Sequence, residues 1–194
     1  MSLEFIGHTS SRTGAELIDA SGPIIDKPYI KHMAHTAEAN GFDRLLIGSF
    51  ATWPDNSQIA AYVLNNTERL GVMLAHRPGF VAPTVAARQL ATLDQFSDGR
   101  LAVHVISGGT DEDQQRDGDF LAHDERYART AEYLSVVKKV WHSDKPFDHL
   151  GDYYRFKGAF STVKPWQTGG VPIFFGGSST AAFEVAGQHA EVYA

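Results

Sequence analysis

The sequence predicts an α/β fold with a parallel sheet covered on both faces by helices. Two observations carry this. Short segments that are apolar along their whole length recur, RLLIG at 44–48, LGVMLAH at 70–76 and LAVHVI at 101–106, and strands buried on both faces read that way. Between them lie stretches with apolar residues at helical spacing, so strand and helix alternate along the chain. An open doubly wound sheet and a (β/α)8 barrel both answer to that alternation.

Residues 3–8 read as the first strand. Pro28 opens a helix in its first turn, with Asp26 as the cap, and Asn40-Gly41 closes it. RLLIG is the second strand; a loop containing Pro54 and a helix over about 58–68 follow. After the third strand, LGVMLAH, a helix is expected over 83–96, with Ala86, Leu90, Leu93 and Phe96 on one face and Ser97-Asp98-Gly99 as its stop. LAVHVI is the fourth strand, and Tyr127, Ala131, Leu134, Val137 and Trp141 mark the face of the next helix. Residues 145–170 are the one long irregular stretch, where Tyr153-Tyr154-Arg155-Phe156 between glycines suggests an inserted hairpin. A fifth strand at 171–175, a short helix at 180–189 and the opening of a sixth strand at 191–194 complete a single domain, 1–194. Five βα units are present, whereas a complete eight-unit barrel typically needs about 250 residues.

Composition excludes several classes of function. The 194 residues are 43% hydrophobic and 21% charged, which is globular rather than disordered, collagen-like or coiled-coil. The absence of cysteine excludes disulfides, Cys-ligated zinc, iron–sulfur clusters and a Cys nucleophile. A net charge of −6 argues against non-specific contact with nucleic acid or anionic membrane. With no 18-residue apolar run and no signal-peptide pattern at the start, a cytoplasmic protein without a membrane partner is expected.

In parallel α/β folds the chemistry sits at the carboxyl ends of the strands. Those ends read His8-Thr9, Gly48-Ser49-Phe50, His76-Arg77-Pro78, Ser107-Gly108-Gly109 and Gly176-Gly177-Ser178-Ser179. The last block is a strand running through glycines into a helix start. Glycines let backbone approach a phosphate, and free helix N–H groups with serine hydroxyls supply donors. It also fits a plain tight turn with a Ser cap. His123 and Tyr127, four residues apart at the start of a helix, either face one ligand or divide into an exposed His and a core-facing Tyr. His104 lies within a buried strand and needs a partner, in the core or on a ligand. Arg77 puts a cation at a strand end, where it meets a sulfonate, phosphate or carboxylate ligand or pairs with loop acids. The seven acids of 108–125 lack the ligand spacing of a calcium loop and read as a solvated loop. The nine histidines contain no HExxH pair, so no metal site is expected.

Three blocks together resemble the bacterial-luciferase-like flavin monooxygenases, and within them the alkanesulfonate monooxygenases. The first is Arg77-Pro78-Gly79 through Pro83, Arg88-Gln89 and Leu93-Asp94 to Ser97-Asp98-Gly99-Arg100. The second is Val105-Ile106-Ser107-Gly108-Gly109 followed by Asp117-Gly118-Asp119-Phe120-Leu121 and His123-Asp124-Glu125-Arg126-Tyr127, and the third Phe175-Gly176-Gly177-Ser178-Ser179. The likeness runs along essentially the whole chain. It implies a (β/α)8 TIM barrel, of which about five βα units are present, binding reduced FMN supplied by a separate NAD(P)H:flavin reductase. The implied reaction uses O2 to convert an organosulfonate to aldehyde and sulfite, commonly in a homo-oligomer. Carried over, Tyr127, Gly177, Ser178 and Ser179 would hold the FMN phosphate. His104 and Ser107 would lie by the flavin ring, with His123 near the ribityl chain or phosphate. Ser49 and Trp53 would shape the substrate pocket, with His8 and Arg77 as the catalytic candidates. Two departures accompany the resemblance: Trp53 stands where the alkanesulfonate enzymes carry a cysteine, and the His and arginines of the family's later strands are not in this sequence. A deazaflavin-dependent oxidoreductase on the same barrel, and a shortened barrel that binds flavin without turnover, are the alternatives. The chain is expected to be the amino-terminal part of a barrel.

Overall fold

A computed structural model of the chain describes residues 3–14, 17–107 and 109–193. The chain forms two compact units, one from the residues up to Ala75 with Arg100–Ala102, the other from His76–Gly99 with the residues from Val103 on.

The first unit holds β1 (Ile6–Thr9), α1 (Lys27–Ala39), β2 (Arg44–Ile47), α2 (Asn56–Asn65) and β3 (Gly71–His76) up to Ala75. Its strands are parallel in the order β1-β2-β3, with Ile6 opposite Arg44 and Leu45 opposite Val72. Asp26 caps α1 by accepting from Tyr29 N at 3.0 Å, with Pro28 in the first turn. Asp55 caps α2 through Gln58 N at 3.1 Å, which starts that helix at Asn56, two residues before its expected position. Leu45, Ile47, Val63, Leu64, Val72 and Leu74 form the core. The turn into β3 is held by Glu38, whose Oε1 accepts from the backbone N–H of Glu68, Arg69 and Leu70 at 2.9, 2.6 and 3.0 Å. β1 begins at Ile6 rather than at residue 3. Phe5 spends its backbone N–H on Asp43 Oδ2, at 2.7 Å, instead of on a strand partner.

The second unit contains α3 (Pro83–Phe96), β4 (Leu101–Val105) from Val103, α4 (Asp111–Arg116), α5 (His123–His142), β5 (Phe147–Leu150), β6 (Arg155–Ala159), β7 (Ile173–Phe175), α6 (Thr180–His189) and β8 (Val192–Tyr193). The parallel order is β4-β7-β8, with Val103 opposite Ile173 and Phe174 opposite Val192. Residue 194, in the expected sixth strand, lies outside the described residues. The inserted hairpin is present as antiparallel β5 and β6. Glu132 of α5 anchors it, accepting from His149 Nε2 at 2.8 Å and from the backbone N–H of Tyr153 and Tyr154, each at 2.9 Å.

Two expectations are corrected here. Phe96 does not join the buried face of α3 and is 75% exposed; the helix turns Asp94 inward instead. The Asp94 carboxylate is wholly buried and accepts from Gln167 N at 3.1 Å and Gln167 Nε2 at 2.8 Å, a partner 73 residues away. The acid-rich stretch is not a mere solvated loop. It contains α4, capped by Thr110, with Asp111, Glu112 and Asp113 in the first turn and Arg116 in the last, the arrangement the helix dipole favours. After it, Asp119 is buried against Arg129 at 2.5 Å. Among the described residues β1 pairs with β2 and β8 with β7, each on one side. Among them, no helix is long and apolar enough to cross a membrane, and no group of three or more His, Asp or Glu side chains is placed to hold a metal.

Candidate cofactor and substrate sites

In the second unit the ends of β4 and β7 meet the starts of α5 and α6. Tyr127 lies in the first turns of α5, 7% exposed, its ring 6.3 Å from Phe175 and 4.9 Å from His123. Gly177 follows β7 with φ +137°, a conformation that favours glycine. A Cβ there would sit 2.9 Å from the Tyr127 hydroxyl and 2.8 Å from Ala182 Cβ. The missing side chain is what lets a phenol hydroxyl approach the turn backbone. Ser179 then caps α6, its hydroxyl accepting from Ala182 N at 3.2 Å, while Phe183 N bonds Ser179 O. The first N–H groups of a helix have no partner inside it, so this start is a place for an anion. Ser178 is exposed beside it.

Strand alternation sets the rest. Phe175 faces α5, so Phe174 and its register partner His104 face the other side of the sheet. His104 Nδ1 is buried with no hydrogen-bond partner among the described residues, and burial lowers the pKa of the ring, leaving it neutral at pH 7. Ser107 is buried, with Oγ 3.0 Å from Thr130 Oγ1; Thr130 donates in turn to Arg126 O at 2.8 Å. The Ser107 proton is therefore committed, and its oxygen keeps acceptor capacity. Gly108 lies outside the described residues. His123 is exposed and shares a hydrogen bond with Asp124 at 2.7 Å. An orphaned buried imidazole nitrogen and a glycine cradle under a phenol fit a phosphate-bearing heteroaromatic cofactor.

Sequence reasoning placed Arg126 in the His123–Tyr127 block but gave it no role. It is buried and ties the β4 loop to α5 through Ser107 O at 3.2 Å, Asp111 Oδ1 at 2.8 Å and Leu121 O at 2.8 Å. Its sequence signal is a cation within that block, between His123 and Tyr127. Arg77 is committed elsewhere: it donates to Asp113 at 3.0 Å and to Asp117, and lies 4.4 Å over the Phe80 ring.

The first unit carries a cleft of about 910 Å³ lined by the end of β1, the chain after it, α1 and the loop after β2. That volume is in the range of small-molecule sites. His8 and Trp53 line it, together with Arg12, Tyr29, Met33 and Ile24. Gly48 sits beside both, a Cβ there lying 3.6 Å from Trp53 and 3.8 Å from His8 Nε2, ordinary contact distances. Partial enclosure lowers the pKa of His8, so its ring is neutral at pH 7. Ser49 is half-buried and is not among the described residues lining the cleft.

Residues 3–194 match the family model described as luciferase-like monooxygenase. Among solved structures, the riboflavin lyase RcaE, with modified FMN and riboflavin, is similar at 23% identity, covering 100% of this chain and 54% of that one, with a TM-score of 0.85. An F420-dependent secondary alcohol dehydrogenase in complex with an F420–acetone adduct matches at 22% identity, 100% and 58% coverage and a TM-score of 0.82. The EDTA monooxygenase EmoA from Chelativorans sp. BNC1 matches at 18% identity, 98% and 52% coverage and a TM-score of 0.85. At these identities the likeness is one of fold. The chain spans about half the length of these structures.

Proposed function

The chain belongs to the luciferase-like monooxygenase family, and from that premise we propose that it carries the cofactor-binding and substrate-binding residues of a cytoplasmic oxidoreductase. The proposed cofactor is reduced FMN delivered by an NAD(P)H:flavin reductase, and the proposed reaction uses O2 to convert an organosulfonate to aldehyde and sulfite. One observation carries the cofactor assignment: the Tyr127 hydroxyl packed on Gly177 at the open start of α6, in the same unit as the unpartnered His104 Nδ1. Tyr127, Ser178 and Ser179 would bind the FMN phosphate, and His104 would donate to or accept from the ring system, according to its tautomer. Bound reduced flavin would supply the electrons that activate O2. Within this reading Arg126 holds the β4 loop in place, through Ser107 O and Asp111. His8, Trp53 and the first unit's cleft receive the organic substrate, while Arg77 ties down α4 and its C-cap through Asp113 and Asp117.

FMN titration tests the assignment. Tyr127→Phe and Ser179→Ala should each weaken binding by about tenfold or more, the worth of a hydrogen bond to a charged group. Unchanged affinity in both would place the phosphate elsewhere. The fold likeness to an F420-dependent dehydrogenase supports a second reading, a deazaflavin oxidoreductase. Tighter binding of F420 than of FMN in the same titration would favour it. Sulfite release from alkanesulfonates, with reductase and NAD(P)H present, tests the reaction itself.

A further inference from the structure

Among the described residues that line the first unit's cleft, Arg12 is the one that is positively charged at neutral pH. His8 is neutral there because enclosure lowers its pKa. The single acid of the lining, Asp19, is exposed, whereas Arg12 is half-buried. The Arg12 guanidinium makes no hydrogen bond or ion pair with any described residue; its recorded bond is through the backbone, Ser10 Oγ donating to Arg12 O. A half-buried guanidinium with no counter-ion among the described residues keeps its donors available to an anionic ligand. Part of the cleft wall is apolar, formed by Trp53, Met33, Tyr29, Ile18 and Ile24, with Ile18, Ile24 and Trp53 substantially exposed, while Thr9, Ser10, Ser11 and Thr52 line the rest. Arg77, the cation first singled out for an anionic substrate, already has Asp113 and Asp117 as partners.

We propose that Arg12 is the anion-receiving residue of this cleft, and that the cleft takes an organic anion whose apolar chain or ring lies against Trp53 and Met33. A guanidinium presents two parallel donors to two oxygens of a sulfonate or carboxylate head. The apolar walls then gain from covering the body of the molecule. The proposal rests on the preceding reading only in naming this molecule as the substrate; binding itself needs no flavin.

Calorimetric titration of the chain with 1-octanesulfonate, octanoate and uncharged 1-octanol, without flavin, is the test. Octanesulfonate should bind at least about tenfold more tightly than octanol, the worth of a charge-assisted contact. The octanoate arm distinguishes a sulfonate head from a carboxylate head. Arg12→Gln should abolish the preference for the anion, and Arg12→Lys should keep part of it. FMN affinity, read in the second unit, should be the same in both variants, which reports that they are folded. Equal binding of octanesulfonate and octanol, no binding of either anion, or an undiminished preference in Arg12→Gln would each overturn the proposal. Loss of the FMN assignment with the anion preference intact would overturn the preceding reading alone.

Discussion

The most strongly perturbed imidazole in the molecule is that of His76, at the end of β3. Its Nε2 lies 2.7 Å from the hydroxyl of Tyr133, a residue with no exposed surface. Burial, with the neighbouring Arg77 charge adding to it, lowers the His76 pKa from 6.5 to about 4. The same burial, with the Tyr154 ring next in order, holds the Tyr133 phenol well above its ordinary range, so the pair is a neutral hydrogen bond at pH 7. As pH falls, the unfolded chain takes up a proton near 6.5 and the folded chain only near 4. The unfolded state therefore binds more protons between those values. Stability is fully present above 6.5 and drains as pH drops toward 4, by about 3 kcal/mol from this residue. His8, His104 and His189 are lowered as well and act in the same direction. Urea unfolding across this window should show a shallower pH dependence in His76→Gln than in the parent. Parallel curves would mean that His76 is not the group responsible.

Among the elements, the hairpin depends on one side chain from a helix. Burial pushes the Glu132 carboxyl upward, but the hydrogen bonds from His149 and from the Tyr153 and Tyr154 amides outweigh it and hold the pKa below its ordinary value. Glu132→Gln removes the charge while keeping the shape. Amide exchange at Tyr153 and Tyr154 should then accelerate by about tenfold or more, with the core of β4 and β7 unaffected. Equal acceleration in the core strands would show global loosening and not a local anchor. This hairpin was legible in sequence because Tyr153-Tyr154-Arg155-Phe156 between glycines is a local pattern, and the parallel strands were legible for the same reason. Where a partner sits far along the chain, sequence failed. Asp94 is turned inward by Gln167, 73 residues on, and Phe96 is left outside as the consequence. Asp119 is buried by Arg129 of the following helix, and seven acids in one stretch concealed α4, whose acidic first turn and terminal Arg116 are themselves a helix signal. In the candidate sites, Tyr127 and Gly177 stood out by motif. Arg12 did not, because its significance lies in its place in the cleft with no side-chain partner among the described residues, which only the fold reveals.

At the scale of the whole molecule, the parallel strands leave two edges with backbone groups unmatched among the described residues. β1 is paired to β2 on one side, with Leu3, Phe5 and Ile6 exposed along it, Leu3 at 85% and Phe5 at 60%. β8 is paired to β7 on one side, with Val192 and Tyr193 exposed and the Tyr193 ring 5.2 Å from that of Phe183, itself exposed on α6. An unpaired strand edge flanked by apolar side chains invites another strand, and among the described residues neither β1 nor β8 contains a lysine or proline of the kind that blunts such edges. The 194-residue chain should therefore self-associate as its concentration rises, seen in sedimentation velocity as a growing weight-average coefficient. Ile6→Lys with Val192→Lys should suppress that growth, because a charge beside each edge would have to be desolvated for another strand to pair there. FMN binding should survive the double substitution, since neither residue lies at the Tyr127–Gly177 cradle. A chain that stays monomeric at every concentration, or a doubly substituted one that associates as strongly as the parent, would show that these edges do not recruit a second copy.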